Sequence, residues 1–524
     1  MALILCGAVS AASYTVGPGS TYNYSSISGA VAAAKDGDNI MVYSNGSSSY
    51  SEYISVNHKL NLTANGKVIV QTPDQTKNSL ITITSGGSGS TIQGFTVTTS
   101  GVNTMNGIEL NGADNCKILK NNITGFSTGI CMDDDAANNV ITGNNIDSGA
   151  NSVGYSYGID LSGSSTAGNV ISENIIKTTG TGTGSSDGIA LYNSVQNNIF
   201  SGNIINATHQ GTGLSEGILI YSSNSNVVSG NIITASGSGS SVRGIRISNK
   251  ANGNNIIGNS IDADTGLYID VAGNLANFNR IISSNKAILN TASGNLNAQY
   301  NWYGSNADPG SKIQGNVNYD PWLVLTVIAS PGTVGTDSSS TIAADFTHDS
   351  NGGIHDPVSG HFPDGIGIHF ATILGTVTGL VSTVNGVAKS TFKSGSTGIS
   401  NISVSADSQI MGTSVKIVDV TPPKVMSTYP KNGAKKVSRT KTIIIKFSEK
   451  IKKSINWSKI YVKDKHGKKV KISKSISGNT IYIKTKKRTS YSYYTVYIPE
   501  AALKDYADNN LKTKYTFKFK TGKY

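Results

Sequence analysis

One short phrase recurs seven times between residues 107 and 269: a Gly, a bulky aliphatic residue, any residue, then a second apolar residue. It appears as Gly107-Ile108-Glu109-Leu110, Gly129-Ile130-Cys131-Met132, Gly158-Ile159-Asp160-Leu161, Gly188-Ile189-Ala190-Leu191, Gly217-Ile218-Leu219-Ile220, Gly244-Ile245-Arg246-Ile247 and Gly266-Leu267-Tyr268-Ile269, at spacings of 22, 29, 30, 29, 27 and 22 residues. Asn-led apolar runs such as Asn139-Val140-Ile141, Asn169-Val170-Ile171 and Asn226-Val227-Val228 fall between them. A period of this length, with strand alternation and no helical periodicity, predicts a parallel β-solenoid. Each coil buries nothing alone, and stacking at roughly 4.8 Å turns the inward Ile, Val and Leu into a continuous core. Asn at the bends tolerates left-handed backbone, and a column of Asn side chains can hydrogen-bond from coil to coil. The Asn residues therefore read as scaffold.

The whole chain is consistent with an all-β protein. Only 14% of its 524 residues are charged, against about 25% in ordinary globular chains, which speaks against a cytosolic helical enzyme. The length exceeds one compact core and calls for a repeat body with further domains. The expected organisation is a truncated signal peptide at 1–12, a right-handed parallel β-helix with its N-terminal cap at 13–323, and two β-sandwiches at 324–419 and 420–524. The leader reading rests on the apolar run Ala2 to Leu5 followed by Val9-Ser10-Ala11-Ala12. Open solenoid ends need covers. The Ala-rich stretch Ile27 to Lys35 is expected to be a capping helix, and Trp302, Tyr303 and Trp322 gather where the repeat stops.

The N-terminal run Ser25 to Tyr43, the stretch Ile92-Gln93-Gly94-Phe95-Thr96-Val97, the repeats and the closing Asn301 to Leu323 resemble right-handed parallel β-helix proteins of the pectin-lyase-like and NosD-like kind. That resemblance implies the fold, and the scaffold carries lyases, hydrolases and non-catalytic surface proteins alike. Ala343 to His348, Gly360 to Gly365 and Val384 to Ala388 resemble invasin-like bacterial Ig domains of adhesin-like surface proteins from methanogenic archaea. Tyr429 to Gly433, Ile445 to Glu449, Leu503 to Asn509 and Tyr515 to Thr521 are similar to the SbsA-type Ig-like domain, with Asp508-Asn509 where that family usually has Gly-Asn.

Charge is divided unevenly. Residues 421–524 hold 27 Lys and Arg against 5 Asp and Glu, whereas residues 1–420 hold 16 against 26. The two portions must meet different partners. Lys450, Lys452, Lys453, Lys463, Lys468, Lys469 and Lys471, alternating with apolar residues, are the expected envelope-binding set, with Tyr491, Tyr493, Tyr494 and Tyr497 as stacking surface. Acidic envelope components fit an exported chain better than nucleic acid does.

Catalytic chemistry has few places to sit. Just before each repeat Gly the column reads Asn106, Thr128, Tyr157, Asp187, Glu216, Arg243 and Thr265, so Asp187, Glu216 and Arg243 fall on consecutive coils. Two carboxylates at strand spacing suit an acid and a nucleophile, or a calcium ion with an acidic sugar. The alternative is an ion-pair ladder on a solvated face. The column Glu109, Cys131, Asp160, Ala190, Leu219, Arg246 and Tyr268 reads less like a site. Asp133, Asp134 and Asp135 offer a cation turn, and His348, His355, His361 and His369, interleaved with Asp residues, offer a metal cluster. Only His58 and His209 lie in the solenoid, so general-base chemistry by His has little to work with.

These readings favour a non-catalytic, adhesin-like protein of the cell surface or wall. Its β-helix would bind a surface glycan, an envelope polymer or a neighbouring or host cell, with the sandwiches as stalk and attachment. The alternatives are a β-helix lyase or glycoside hydrolase on acidic polysaccharide, and a purely structural envelope component.

Overall fold

The computed structural model describes residues 11–524 apart from 47, 100, 102–103, 151–153 and 240. The leader expectation therefore lies almost entirely outside the described residues. Thirty strands, from Ser13–Val16 to Val317–Asn318, form one parallel solenoid sheet. Coils stack in exact register: Ile108, Ile130, Ile159, Ile189, Ile218, Ile245, Leu267 and Ile288 form one inward column. A second runs through Ile123, Ile146, Ile176, Ile205, Ile233, Ile261 and Ile281. All of these are buried, and each buried Ile contributes about 1.5–3 kcal/mol.

The motif glycine is required by close approach. A Cβ on Gly188 would sit 2.2 Å from Ile205 Cγ2 and 2.6 Å from the Gly217 carbonyl oxygen. Any side chain there would push apart the corner and the next coil.

Asn residues divide into two jobs that the sequence does not separate. One set occupies left-handed turn positions, as at Asn138 and Asn197. The other forms two buried ladders along the solenoid, Asn139-169-198-226-254-274 and Asn121-144-174-203-231-259-279-301. At each rung the side-chain oxygen accepts the backbone N–H of the preceding ladder Asn, for example Asn174 N to Asn203 Oδ1 at 3.0 Å. The carboxamide nitrogen donates to a carbonyl of an earlier coil, which leaves no bend amide unsatisfied.

The N-terminal helix is Ile27–Ala33. Ser26 caps it by accepting from Gly29 N–H, and Glu52 accepts from Ile27 N–H at 2.8 Å and Ser28 N–H at 2.9 Å, which anchors it over the first coils. At the other end Trp302 is fully buried, its ring edge-on to Phe346 at 5.1 Å, so the following sandwich covers the last coil. Asp407 accepts from Trp302 Nε1 at 2.7 Å and pairs with Arg280 across the same junction.

Residues Leu323 to Val418 form a four-stranded and a five-stranded sheet around Phe346, Phe392, Ile402 and Val415. Residues Val425 to Lys520 form two four-stranded sheets and a two-stranded one around Phe447, Val496, Phe517 and Phe519. Asp508, the departure from Gly-Asn, has a left-handed φ of 74°. Hydrogen bonds from Lys452 and Lys504, each at 2.8 Å, hold its carboxyl down at about 2.

Candidate functional site: a buried carboxylate and arginine cluster beneath a tyrosine row

Register places Tyr157, Asp187, Glu216 and Arg243 side by side on consecutive coils. The Gly one residue later turns the chain at a corner, so each of these side chains points outward just before the wall bends. Outward does not mean solvated. Asp187 and Glu216 are both 0% exposed, so the expectation of an ion-pair ladder on a solvated face is replaced by a closed cluster. Burial follows from what lies around them: tyrosine rings from neighbouring outward positions and the polar chain of Ser185, whose hydroxyl donates to Asp187 Oδ2 at 2.8 Å.

The column judged less promising supplies the rest. Arg246, two residues past Gly244, joins Arg243 on Glu216: Nη1 of Arg243 stands 2.8 Å and Nη1 of Arg246 3.4 Å from the same Oε1. Asp160 contributes to the field at Asp187. Sequence columns were treated one at a time, but the corner angle brings two columns together. The signal that identifies Asp160 and Arg246 is their position exactly three residues after the paired column on each coil.

Four polar atoms in the cluster are closed to solvent and have no hydrogen-bond partner: Asp160 Oδ1, Asp187 Oδ1, Glu216 Oε2 and Arg246 Nε. Unpaired buried oxygens are costly, and carboxyls respond by holding a proton. Desolvation first, then the charge of Glu216, pushes the Asp187 pKa well above the ordinary range. Asp160 is only half-buried, yet desolvation and then Asp133 raise it to about 7. Glu216 is flanked by the guanidiniums of Arg243 and Arg246. A divalent cation would have to face those two positive charges, so the donor set does not suit calcium.

Over and beside the carboxylates runs a tyrosine row. Ring centroids are 5.9 Å apart for Tyr155 and Tyr157, 6.2 Å for Tyr157 and Tyr192, and 5.9 Å for Tyr192 and Tyr221. Arg243 lies 4.3 Å from the Tyr268 ring centroid, continuing the row. Tyr155 is 57% exposed and the others are half-buried, so the row borders solvent, with successive ring planes 6°, 72° and 51° apart.

The metal candidates are not gathered. Asp133 accepts from Ser162 Oγ and Cys131 Sγ, Asp135 accepts from Ser165 N–H, and Asp134 and Asp135 occupy left-handed turn positions. His348, His355 and His361 each face their own nearby carboxylate, Asp345, Asp349 and Asp364, while His369 stands apart on the strand Gly367–Thr372. The carboxylates that do converge among the described residues are Asp419, Glu449 and Asp505, at the junction of the two sandwiches. Asp505 is already bonded to Asn509, and the cluster carries no functional claim.

The envelope set is divided too. Lys468, Lys469 and Lys471 line one cleft, Lys463 is the strand partner of Lys469, Lys450 lines a different cleft, Lys452 pairs with Asp508 and Lys453 lies over Trp457. Of the four tyrosines, Tyr494 is buried and Tyr491 and Tyr493 are exposed, while Tyr497 stacks on Tyr461 at 4.7 Å. No helix among the described residues is long and apolar enough to cross a membrane.

Residues 60–231 match the family described as right handed beta helix region, and residues 419–521 match the bacterial Ig-like domain family. No curated protein sequence matches the chain. Among solved structures, the adhesin InvE of Yersinia pseudotuberculosis is similar over 38% of this chain and 58% of its own, at 14% identity and a TM-score of 0.22. The chain thus covers less than two thirds of that protein. Pectate lyase Pel9A is similar over 60% of this chain and 79% of its own, at 14% identity and a TM-score of 0.36. The Escherichia coli adhesin FdeC is similar over 41% of this chain and 70% of its own, at 11% identity and a TM-score of 0.23.

Proposed function

We propose that the protein is an exported surface protein that holds a carbohydrate chain along one solenoid corner, with its sandwiches as stalk and its basic end attached to anionic envelope polymer. The tyrosine row over the carboxylate cluster carries this reading. Rings at centroid separations of about 6 Å set apolar edges and faces along the corner for successive sugars, while the coil spacing keeps them rigid without further ordering cost. Asp187 and Glu216 below them are closed to solvent, and the side chains of Arg243 and Arg246 are only 16% and 24% exposed, which favours support of the rings over direct attack on a substrate.

A second reading is favoured by one observation. Asp187 and Glu216 sit on adjacent coils, at roughly the separation retaining glycosidases use, the first desolvated without a cationic partner in hydrogen-bond reach and the second ion-paired with Arg243 and Arg246. The test uses the full chain on a panel of neutral and acidic polysaccharides, with and without calcium, following both retention and release of sugar. Retention without products, lost in Tyr192→Ala and Tyr221→Ala, is the expected result. Product release abolished by Asp187→Asn or Glu216→Gln establishes the enzyme instead. Retention unchanged in both tyrosine variants, or no retention at all, rejects the proposed surface.

A further inference from the structure

The final sandwich holds a cleft of about 380 Å³ between the turn at Asp464–Lys471 and the segment Thr485–Thr489. Its walls carry five lysines, Lys468, Lys469, Lys471, Lys486 and Lys487, against one carboxylate, Asp464. That carboxylate is committed, because its Oδ1 accepts the backbone N–H of His466 at 2.9 Å and of Lys468 at 3.0 Å to close the turn. None of the five lysines makes an ion pair with any carboxylate among the described residues. Lys469 instead rests its ammonium 4.7 Å from the centroid of Tyr461.

A second, independent observation lies in the same wall. Arg488 is 3% exposed. Its terminal nitrogens donate to the carbonyls of Ser438 at 3.0 Å and Lys441 at 2.5 Å and to Thr485 Oγ1 at 3.1 Å, while Nε–H has no partner. A guanidinium stays ionised even when buried, so this is a positive charge held by dipoles and by the Phe519 ring, 5.3 Å to its centroid, with a donor unspent. Buried charges in folded proteins are ordinarily paired, and no carboxylate among the described residues supplies the pair.

We infer that this cleft binds the acid groups of an anionic polysaccharide. The inference rests on the envelope-attachment part of the reading above and gives it a location. Charge complementarity selects an anion, and the volume, at the small end for a ligand cleft, admits a short stretch of one chain and not a duplex. The wall side chains other than the charged ones are Thr485, Thr489, half-buried Val470 and Tyr494, itself only 4% exposed, too little apolar surface for insertion into a lipid layer. Beside the cleft Tyr461 and Tyr497 stack on each other at 4.7 Å, and the ammoniums of Lys463 and Lys469 stand 5.2 and 4.7 Å from the Tyr461 centroid, which extends the positive surface along the ring pair.

Of the seven lysines expected in strand rhythm, three line this cleft, Lys468, Lys469 and Lys471, and the segment facing them adds Lys486, Lys487 and Arg488.

The experiment measures binding of the full chain to polygalacturonate, dextran sulfate, neutral dextran, an oligothymidylate and phosphatidylserine vesicles, across a salt series. The cleft variant is Lys469→Gln, Lys486→Gln, Lys487→Gln. A second triple, Lys431→Gln, Lys435→Gln, Lys523→Gln, removes the same charge from exposed positions elsewhere in the domain. The expected result is salt-sensitive binding of the acidic polysaccharides that weakens at least tenfold in the cleft variant and less than threefold in the second. Equal loss in both variants overturns the cleft and leaves a diffuse basic surface, which still permits envelope attachment. Tighter binding of the oligonucleotide or the vesicles, lost in the cleft variant, overturns the polysaccharide assignment. No binding to acidic polysaccharide, with isolated cell envelopes still retained, overturns the cleft but not the attachment. Failure to retain envelopes as well rejects both.

Discussion

Replacing Asn203 by Ala removes one rung from the middle of a buried ladder, and its cost can be worked out bond by bond. Asn174 N–H loses its acceptor at 3.0 Å, Asn174 Nδ2 loses one of its two, the Ile171 carbonyl loses a donor at 2.9 Å and Asn231 Oδ1 loses the Asn203 Nδ2 donor at 2.9 Å. The backbone N–H of residue 203 keeps its bond to Asn231 Oδ1. Stripping a buried amide costs about 1–3 kcal/mol and each of the three weakened bonds about 0.5–1.5, so the sum is about 2.5–7.5 kcal/mol, with about 3 expected if a water enters the space left. Solenoids open coil by coil, so a global melting temperature would blur this. Hydrogen exchange across residues 170–178 reads it directly, and about 3 kcal/mol corresponds to exchange faster by roughly a hundredfold. Asn145 is the internal control. It is exposed and its side chain makes a single bond, to Asn122 at 2.8 Å, so Asn145→Ala should cost under about 0.5 kcal/mol. Equal exchange in the two variants would refute the claim that the ladder, and not Asn composition in general, holds the bends.

Two further outcomes follow from groups already described. Asp160 titrates at about 7 in the folded chain against 3.8 when free, so unfolding is penalised least at high pH: its stability contribution is full below pH 4, falls as the pH rises towards 7 and is gone above it. The ceiling is about 4 kcal/mol and residual solvent contact brings it nearer 1–2, with Asp187 adding in the same direction. Exchange of residues 156–162 should accordingly be slower at pH 5 than at pH 8 after correction for intrinsic rates, and Asp160→Asn should flatten the difference; an unchanged profile in that variant contradicts the assignment. At the solenoid end, Asp407→Asn removes the charge that Arg280 and Trp302 Nε1 share, at a cost of about 2 kcal/mol because the Arg280 and Asp407 side chains retain some solvent. Exchange at residues 278–283 and 404–411 should rise more than tenfold, and protection equal to the unsubstituted chain would show that aromatic packing alone holds the junction.

The solenoid was legible because its physics is periodic. A Gly every 22–30 residues followed by aliphatics fixes both the coil length and the register, which is why the column Tyr157, Asp187, Glu216, Arg243 could be read before any coordinates. Burial was not legible in the same way. Whether an outward carboxylate meets water depends on the angle of the corner and on the size of side chains five residues on and one coil back, as Tyr192 and Tyr157 decide for Asp187, and no single column of sequence carries that. The same limit explains Arg246 and Asp160: they belong to the cluster through the corner and not through their own periodicity. In the basic domain the obstacle is different, since sandwich loops converge without any repeat to announce them. Lys486 and Lys487 lie fifteen or more residues beyond Lys471 in sequence, yet they line one cleft with it, and buried Arg488 directly after them looks in sequence like one more surface cation. Periodic folds therefore disclose their neighbours along the repeat axis. Function in this chain is expected to depend on neighbours across it: the corner at Asp187, and the converging loops around Arg488.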